Sequence, residues 1–178
     1  KYPVKTFLRD AITADDSWLA SCLAEELSSW RVADMQLGQH SARRLRIVDG
    51  VDSFDRSIPA GFCFSEDCLD ERHLLMLYIE PQWRRRGLAK RLMADLVESS
   101  RRAAVRVLLL EVRAANDAAL ALYVAQGFGI DSVRKNYYPP RAGTALGEAS
   151  TSHRVAAQGG ILARDLARDD AVLMSLVL

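Results

Sequence analysis

Arg84-Arg85-Arg86-Gly87-Leu88-Ala89 is the stretch of this 178-residue chain whose residue types and spacing best suit chemistry. It follows an apolar run, Leu74 to Ile79, that Glu80-Pro81 stops, and it opens a segment with apolar residues at helical spacing. The unpaired amides of a helix's first turn point outward and carry partial positive charge, so a diphosphate is their natural partner. Gly87 lets a ligand approach the backbone closely, and Ala89 is the largest side chain such a contact comfortably allows. Residues 84–106 carry eight basic residues against two acidic ones, a local field suited to an anion. No Gly-Lys-Ser/Thr follows and the glycine spacing is not that of a dinucleotide site, so neither a P-loop nor a Rossmann turn is indicated. A solvated arginine cluster at a helix start would look the same, and local physics does not choose between the two.

Two other side chains stand out. Glu111 follows Leu108-Leu109-Leu110 at the carboxyl end of a strand, where the sites of α/β sheets collect. A partly buried carboxylate there has a raised pKa and can act as a base; equally, it can face water or be tied up by Arg113. Tyr123, on a short alanine-rich segment, either packs against a sheet or donates its hydroxyl proton to a leaving group. Arg134 and Tyr137-Tyr138-Pro139-Pro140 form a basic, aromatic edge suited to a peptide. His40, His73 and His153 are scattered without partners at metal-ligand spacing, so no metal is expected.

The elements that must position these groups follow from apolar periodicity. Phe7, Leu8 and Ile12 read as a first strand, Thr13 as a cap with Asp15 and Asp16 near the helix's positive end, and Trp18, Leu19, Cys22, Leu23 and Leu27 as a helix. A short helix through Val32, Met35 and Leu37 is expected next. Strands follow at Leu45 to Val48 and Ala60 to Phe64, separated by a turn over Asp49 to Asp55. Leu74 to Ile79 reads as an interior strand covered on both faces. Leu88, Leu92 and Leu96, widened by Met93 and Val97, mark a helix ending near Ser99 or Ser100, with Lys90, Arg91, Asp95 and Glu98 on its wet side. Val105 to Val112 is a strand, Asn116 caps a helix over residues 117–125, and Gly127 ends it. Strands at Ile130 to Tyr138 and Ala171 to Leu178 complete the pattern. Residues 141–167, with four glycines and seven alanines, read as a long surface loop.

Composition sets the frame. With 49% hydrophobic and 26% charged residues the chain is expected to fold as one globular domain, 1–178, with 141–167 as a loop insertion. No run of 18 apolar residues is present to cross a membrane. Formal charge is +1, which argues against a dedicated nucleic-acid binder. Cys22, Cys63 and Cys68 are an odd number without zinc-type spacing and read as free thiols in a reducing cytoplasm. No signal peptide is visible, and a chain starting at Lys1 is expected to have been trimmed.

Taken together, these segments resemble the GNAT superfamily of acetyl-CoA-dependent N-acetyltransferases. Arg84 to Ala89 resembles its Gln/Arg-x-x-Gly-x-Gly/Ala signature, and the likeness extends through Ile79 to Trp83, Leu110 to Arg113, Asn116, Ala121 to Tyr123, Gly127-Phe128, Arg134 to Pro139 and Asp169 to Met174. More narrowly, the chain resembles the bacterial ribosomal-protein N-terminal alanine acetyltransferases of the RimI type. The resemblance implies an α/β fold: a central, mixed, mostly antiparallel twisted sheet of about seven strands, flanked by helices and splayed at the acetyl-CoA site. It implies that Arg84, Arg85, Arg86, Gly87, Leu88 and Ala89 cradle the coenzyme A pyrophosphate. The backbone of Leu77, Tyr78 and Ile79 would pair with the pantetheine arm and polarise the thioester, and Asn116 would contact that arm. Glu111 would be the general base and Tyr123 the general acid that protonates the departing thiolate, itself in contact with the cofactor. Arg134, Tyr137 and Tyr138 would hold the acceptor.

The implied reaction is direct acetyl transfer to a free protein N-terminus, of Ala or Ser type on a ribosomal protein, in a ternary complex without an acetyl-enzyme. A monomer is expected, with no membrane or direct nucleic-acid partner. A small-amine or lysine side-chain acetyltransferase is the alternative within the same chemistry, and an idle acyl-CoA or protein-binding module the alternative outside it. Arg84 stands where the nearest relatives carry glutamine, Tyr78 is bulkier than the usual residue and would narrow the acceptor groove, and 141–167 interrupts a normally brief link.

Overall fold

The computed structural model describes residues 6–26, 32–35, 42–138 and 170–178. The chain divides into two compact units, Lys1–Leu108 with Leu178, and Leu109–Val177. Among the described residues, seven strands, mostly antiparallel, with flanking helices make this the expected α/β fold.

In the first unit β1 (Thr6–Asp10), β2 (Arg43–Val51), β3 (Ser57–Cys68) and β4 (Glu71–Ile79) pair antiparallel in chain order. The β2–β3 turn is made by Asp52, whose carboxylate accepts the amides of Phe54 and Arg56, each at 2.9 Å, as turn-forming aspartates do. Leu69, left-handed at φ 56°, reverses the chain between β3 and β4. Along β4, Arg72, Leu74, Met76 and Tyr78 are buried and their neighbours half-buried, so the strand is more open on one face than its continuous apolar run suggests. Helix α1 (Asp16–Glu26) lays Leu19, Cys22 and Leu23 on Leu45, Ile47, Phe62, Phe64, Met76 and Tyr78 to form the core. Helix α2 (Leu88–Arg102) buries Leu88, Leu92, Met93 and Leu96 against β2, β3 and β4.

Several expectations shift. Ile12 lies beyond β1 and is exposed, as is Phe7 on β1 itself. Thr13 does not cap; the Asp15 carboxylate accepts the Ile12 amide at 2.8 Å instead. Residues Val32–Met35 form a 3-10 turn, while Leu27, Leu37 and the stretch 141–167 lie outside the described residues. Asp49, expected in a turn, is buried on β2. Asp95 is not on a wet face: it takes Arg46 of β2 at 2.9 Å. Trp83, buried just before α2, lies so close over Gly50 of β2 that a Cβ there would collide with its ring.

In the second unit the strand order is β5 (Val107–Arg113), β7 (Ala171–Val177), β6 (Gly129–Arg134). β6 and β7 are antiparallel, with Gly129 opposite Ser175 and Arg134 opposite Ala171. β7 also runs antiparallel to β5, since Ala114 bonds Asp170 and Leu178 bonds Arg106. Helix α3 (Asp117–Ala125) starts at Asn116, whose side-chain oxygen accepts the Ala119 amide at 3.2 Å, and Gly127, at φ 93°, ends it. β6 stops at Arg134, not Tyr138, because Asn136 is left-handed at φ 52° and breaks the extended chain. No helix among the described residues is long and apolar enough to cross a membrane.

Candidate active site

The arginine-rich turn belongs to the first unit. After β4, Pro81–Trp83 form a 3-10 turn in which the Trp83 amide donates to the Glu80 carbonyl at 2.8 Å. Arg84 is extended and its Nε donates to the Ile79 carbonyl at 2.9 Å, which braces the turn against the end of β4. Arg85 and Gly87 are both left-handed, at φ 61° and 83°. Alternating backbone hands of this kind form a concave nest of amides suited to an anion. The Arg91 amide is bonded to the Gly87 carbonyl, so Leu88, Ala89 and Lys90 hold the first-turn amides that α2 itself leaves unpaired. No acidic residue occupies that first turn, whereas Arg101 and Arg102 complement the dipole at the last. Residues 84–87 are exposed, and a Cβ on Gly87 would meet nothing within 4 Å. The turn thus has the donors, the charge and the open approach that a diphosphate requires. Arg86 is partly committed elsewhere, its guanidinium stacked 4.8 Å above the Trp83 ring.

The side chain of Tyr78, expected to narrow an acceptor groove, is buried in the α1 core, 5.5 Å from the Phe62 ring. Leu77 and Ile79 are half-buried, and Arg84 already occupies the Ile79 carbonyl. Glu80, read from the sequence only as the stop of an apolar run and part of the Ile79–Trp83 likeness, accepts the Trp18 indole N–H at 2.7 Å and the Cys22 thiol at 3.5 Å, tying α1 to the end of β4. Burial, followed by the charge of Glu80, pushes the Cys22 thiol up to about 12. Burial does the same to Cys63.

The remaining candidates belong to the second unit. The Glu111 side chain, expected partly buried, is one-third exposed at the end of β5, and it pairs with Arg134 at 2.7 Å rather than with Arg113. Arg113 instead stacks 4.3 Å over the Tyr138 ring, and Arg134 stacks 5.3 Å over Tyr137. The two tyrosines meet edge to face at 5.0 Å. Burial raises the Tyr138 hydroxyl above the usual phenol range, and the Glu111 charge adds to the rise. The basic, aromatic edge expected of Arg134, Tyr137 and Tyr138 is therefore one assembled group that also contains Glu111 and Arg113. Tyr123 is buried on α3 with its ring against Phe128 at 6.0 Å. Asn116 is exposed at the start of the same helix. The sequence reading assigned no role to Asp170, yet its buried carboxylate accepts Lys135 Nζ at 2.8 Å and the Asn136 amide at 2.9 Å.

Residues 17–128 match a family model described as the acetyltransferase (GNAT) family. The ribosomal protein bS18-alanine N-acetyltransferase of Escherichia coli (strain K12) is 39% identical over 84 residues, 47% of this chain and 57% of that protein. This chain thus spans little more than half the length of that relative. The N-alpha-acetyltransferase RimI of Mycobacterium tuberculosis is 31% identical over 124 residues, 70% of this chain and 69% of that protein. Among solved structures, the ribosomal-protein-S18-alanine N-acetyltransferase from Escherichia coli superposes with a TM-score of 0.70 at 24% identity, covering 97% of this chain and 94% of that one.

Proposed function

Because the chain belongs to the GNAT acetyltransferase family, we propose that it transfers the acetyl group of acetyl-CoA to the free α-amine of a protein N-terminus. The acceptor is an Ala- or Ser-type N-terminus of a ribosomal protein, modified in the cytoplasm; the names of the bS18-alanine and N-alpha relatives support the alanine, ribosomal-protein and α-amine parts of this reading. Residues 1–178 act as one catalytic domain.

The observation that carries this reading is the turn before α2, where Arg85 and Gly87 are left-handed and the space over Gly87 is open. Arg84 to Ala89 hold the diphosphate of the co-substrate. The backbone of Leu77 to Ile79 holds its pantetheine arm, with Asn116 a further contact; Arg84, bonded to Ile79, braces the diphosphate turn against the end of β4. Arg134, Tyr137 and Tyr138 hold the acceptor, and Arg134 keeps the Glu111 carboxylate in place until the acceptor arrives.

The chemistry needs one proton taken and one given. An α-amine has a pKa of about 7.7–8.0, so a modest base frees it. Glu111 accepts that proton through a water, the amine nitrogen bonds to the thioester carbon, and the carbon–sulfur bond breaks as Tyr123 protonates the thiolate. A cysteine acetyl-enzyme is not required. Cys22 and Cys63 are buried thiols pushed up to about 12, which suits neither to act as a nucleophile.

Coenzyme A release is measured with acetyl-CoA and short peptides, free or blocked at the N-terminus, beside a polyamine. The wild type turns over free N-termini only, and Glu111→Gln and Tyr123→Phe each lower kcat by ~10²–10⁴-fold. Turnover of the polyamine or of N-blocked lysine peptides would overturn the N-terminal assignment while keeping the co-substrate.

A further inference from the structure

Asp170 immediately precedes β7 and takes no part in the chemistry above. Its side chain is fully buried. A carboxylate is tolerated in such a place only where charge pairing and hydrogen bonds replace water. Here Oδ2 accepts Lys135 Nζ at 2.8 Å and Oδ1 accepts the Asn136 backbone N–H at 2.9 Å. The Asp170 carbonyl accepts the Ala114 amide at 2.9 Å, just beyond the end of β5. One residue therefore joins the end of the strand bearing Glu111 and Arg113 to the turn that follows β6.

That turn sets the acceptor edge. With Asn136 left-handed, the chain leaving Arg134 doubles back, so that Tyr137 stacks on Arg134 and Tyr138 on Arg113. Arg134 in turn holds Glu111. The Lys135 side chain is 60% exposed, so this pair does little for the core. Its effect is on the shape of the turn: the Asn136 amide and the Lys135 ammonium are both drawn to one fixed point on β7.

We propose that Asp170 is a positioning residue for the peptide acceptor, fixing the Lys135–Asn136 turn so that Arg134, Tyr137 and Tyr138 stand where the first acceptor residues bind. This rests on the N-terminal acetyltransferase reading. Asp170→Asn keeps an oxygen for the Asn136 amide but loses the charge that draws Lys135; Asp170→Ala loses both; Lys135→Met removes only the ammonium.

Steady-state kinetics are run with peptide and acetyl-CoA varied separately, with a thermal melt of each variant. Asp170→Ala is expected to raise the peptide KM by about tenfold or more while the acetyl-CoA KM stays within about twofold, and Asp170→Asn and Lys135→Met to fall between it and wild type. A peptide KM unchanged in all variants, or an acetyl-CoA KM rising in parallel, overturns the positioning role. If Asp170→Ala fails to fold, Asp170→Asn and Lys135→Met decide by the same criterion. A wild type that acetylates no free N-terminus overturns the acceptor reading and this proposal with it, whereas an active wild type with unaltered variants overturns this proposal alone.

Discussion

Arg9 shows how charge is used away from chemistry. Its guanidinium bonds both oxygens of Asp15, at 2.7 and 2.8 Å, and reaches Asp49 at 2.7 Å. The Arg9 hydrogen bonds hold the nearly buried Asp15 carboxyl below the usual carboxylate range. A carboxyl with a folded pKa below its unfolded one stabilises fully above about pH 4 and loses that contribution as pH falls through the lower folded value. Arg9→Gln is therefore expected to cost about 1–2 kcal/mol at neutral pH, discounted because Arg9 is partly exposed, with the gap to wild type closing in acid. Urea unfolding of both proteins from pH 7 to pH 2 measures this; a gap constant with pH would refute it. The pairing of Glu111 with Arg134 is not among the alternatives that the sequence offers. Residues 111 and 113 lie on one face of a strand, which makes Arg113 the natural guess from spacing. Arg134 is 23 positions away along the chain and no local pattern connects it to Glu111. Asp170 is less legible still, because its partners lie 34 and 35 positions before it.

Strands are legible where apolar residues run together and misjudged where polar residues carry the pairing. β2 and β3 extend beyond their apolar centres because Arg43 pairs directly across to Glu66 at 2.9 Å and Arg44 reaches the diagonal Asp67 at 3.0 Å. Opposite charges directly across a ladder support it much as apolar pairs do. Helix α2 is located closely by its apolar periodicity, and α3 by the Asn116 cap and the Gly127 that follows it, each in agreement with the packing that the tertiary fold provides. The contact of Trp83 with Gly50 could not be foreseen, since a glycine in a strand names no partner. Gly50→Ala tests that contact. It is expected to destabilise by about 1–3 kcal/mol, because a ring buried between β2 and α2 has to move. A lowered melting temperature with a red-shifted tryptophan emission is the expected outcome, and an unchanged melt would mean that the ring yields freely.

Across the whole chain, a formal charge of +1 coexists with a basic turn before α2. Many arginines elsewhere are matched to carboxylates, among them Arg9, Arg43, Arg44, Arg46, Arg56, Arg72, Arg102, Arg106 and Arg134. The fold class and the arginine-rich turn before α2 are legible from residues 74–140, the part richest in local signals. Residues 139–169 enter the chain directly after Tyr138 and leave it directly before Asp170. The bond from the Asn136 amide to Asp170 thus ties the described chain just before that stretch to the residue just after it. Replacing residues 141–167 by a short Gly/Ser linker is accordingly expected to leave the melting temperature nearly unchanged and peptide turnover within a few-fold, since each halving of a connecting segment alters its closure term by only about 0.6 kcal/mol. Loss of folding on excision would show that the stretch is needed for more than connection. Asp170 then works as a clasp on a purse string: slack may be let out or taken in behind it without disturbing what it fastens. Descendants of such a chain could lengthen, shorten or exchange the segment and leave the tyrosines where they stand, which makes this point of the sequence a natural port for new cargo.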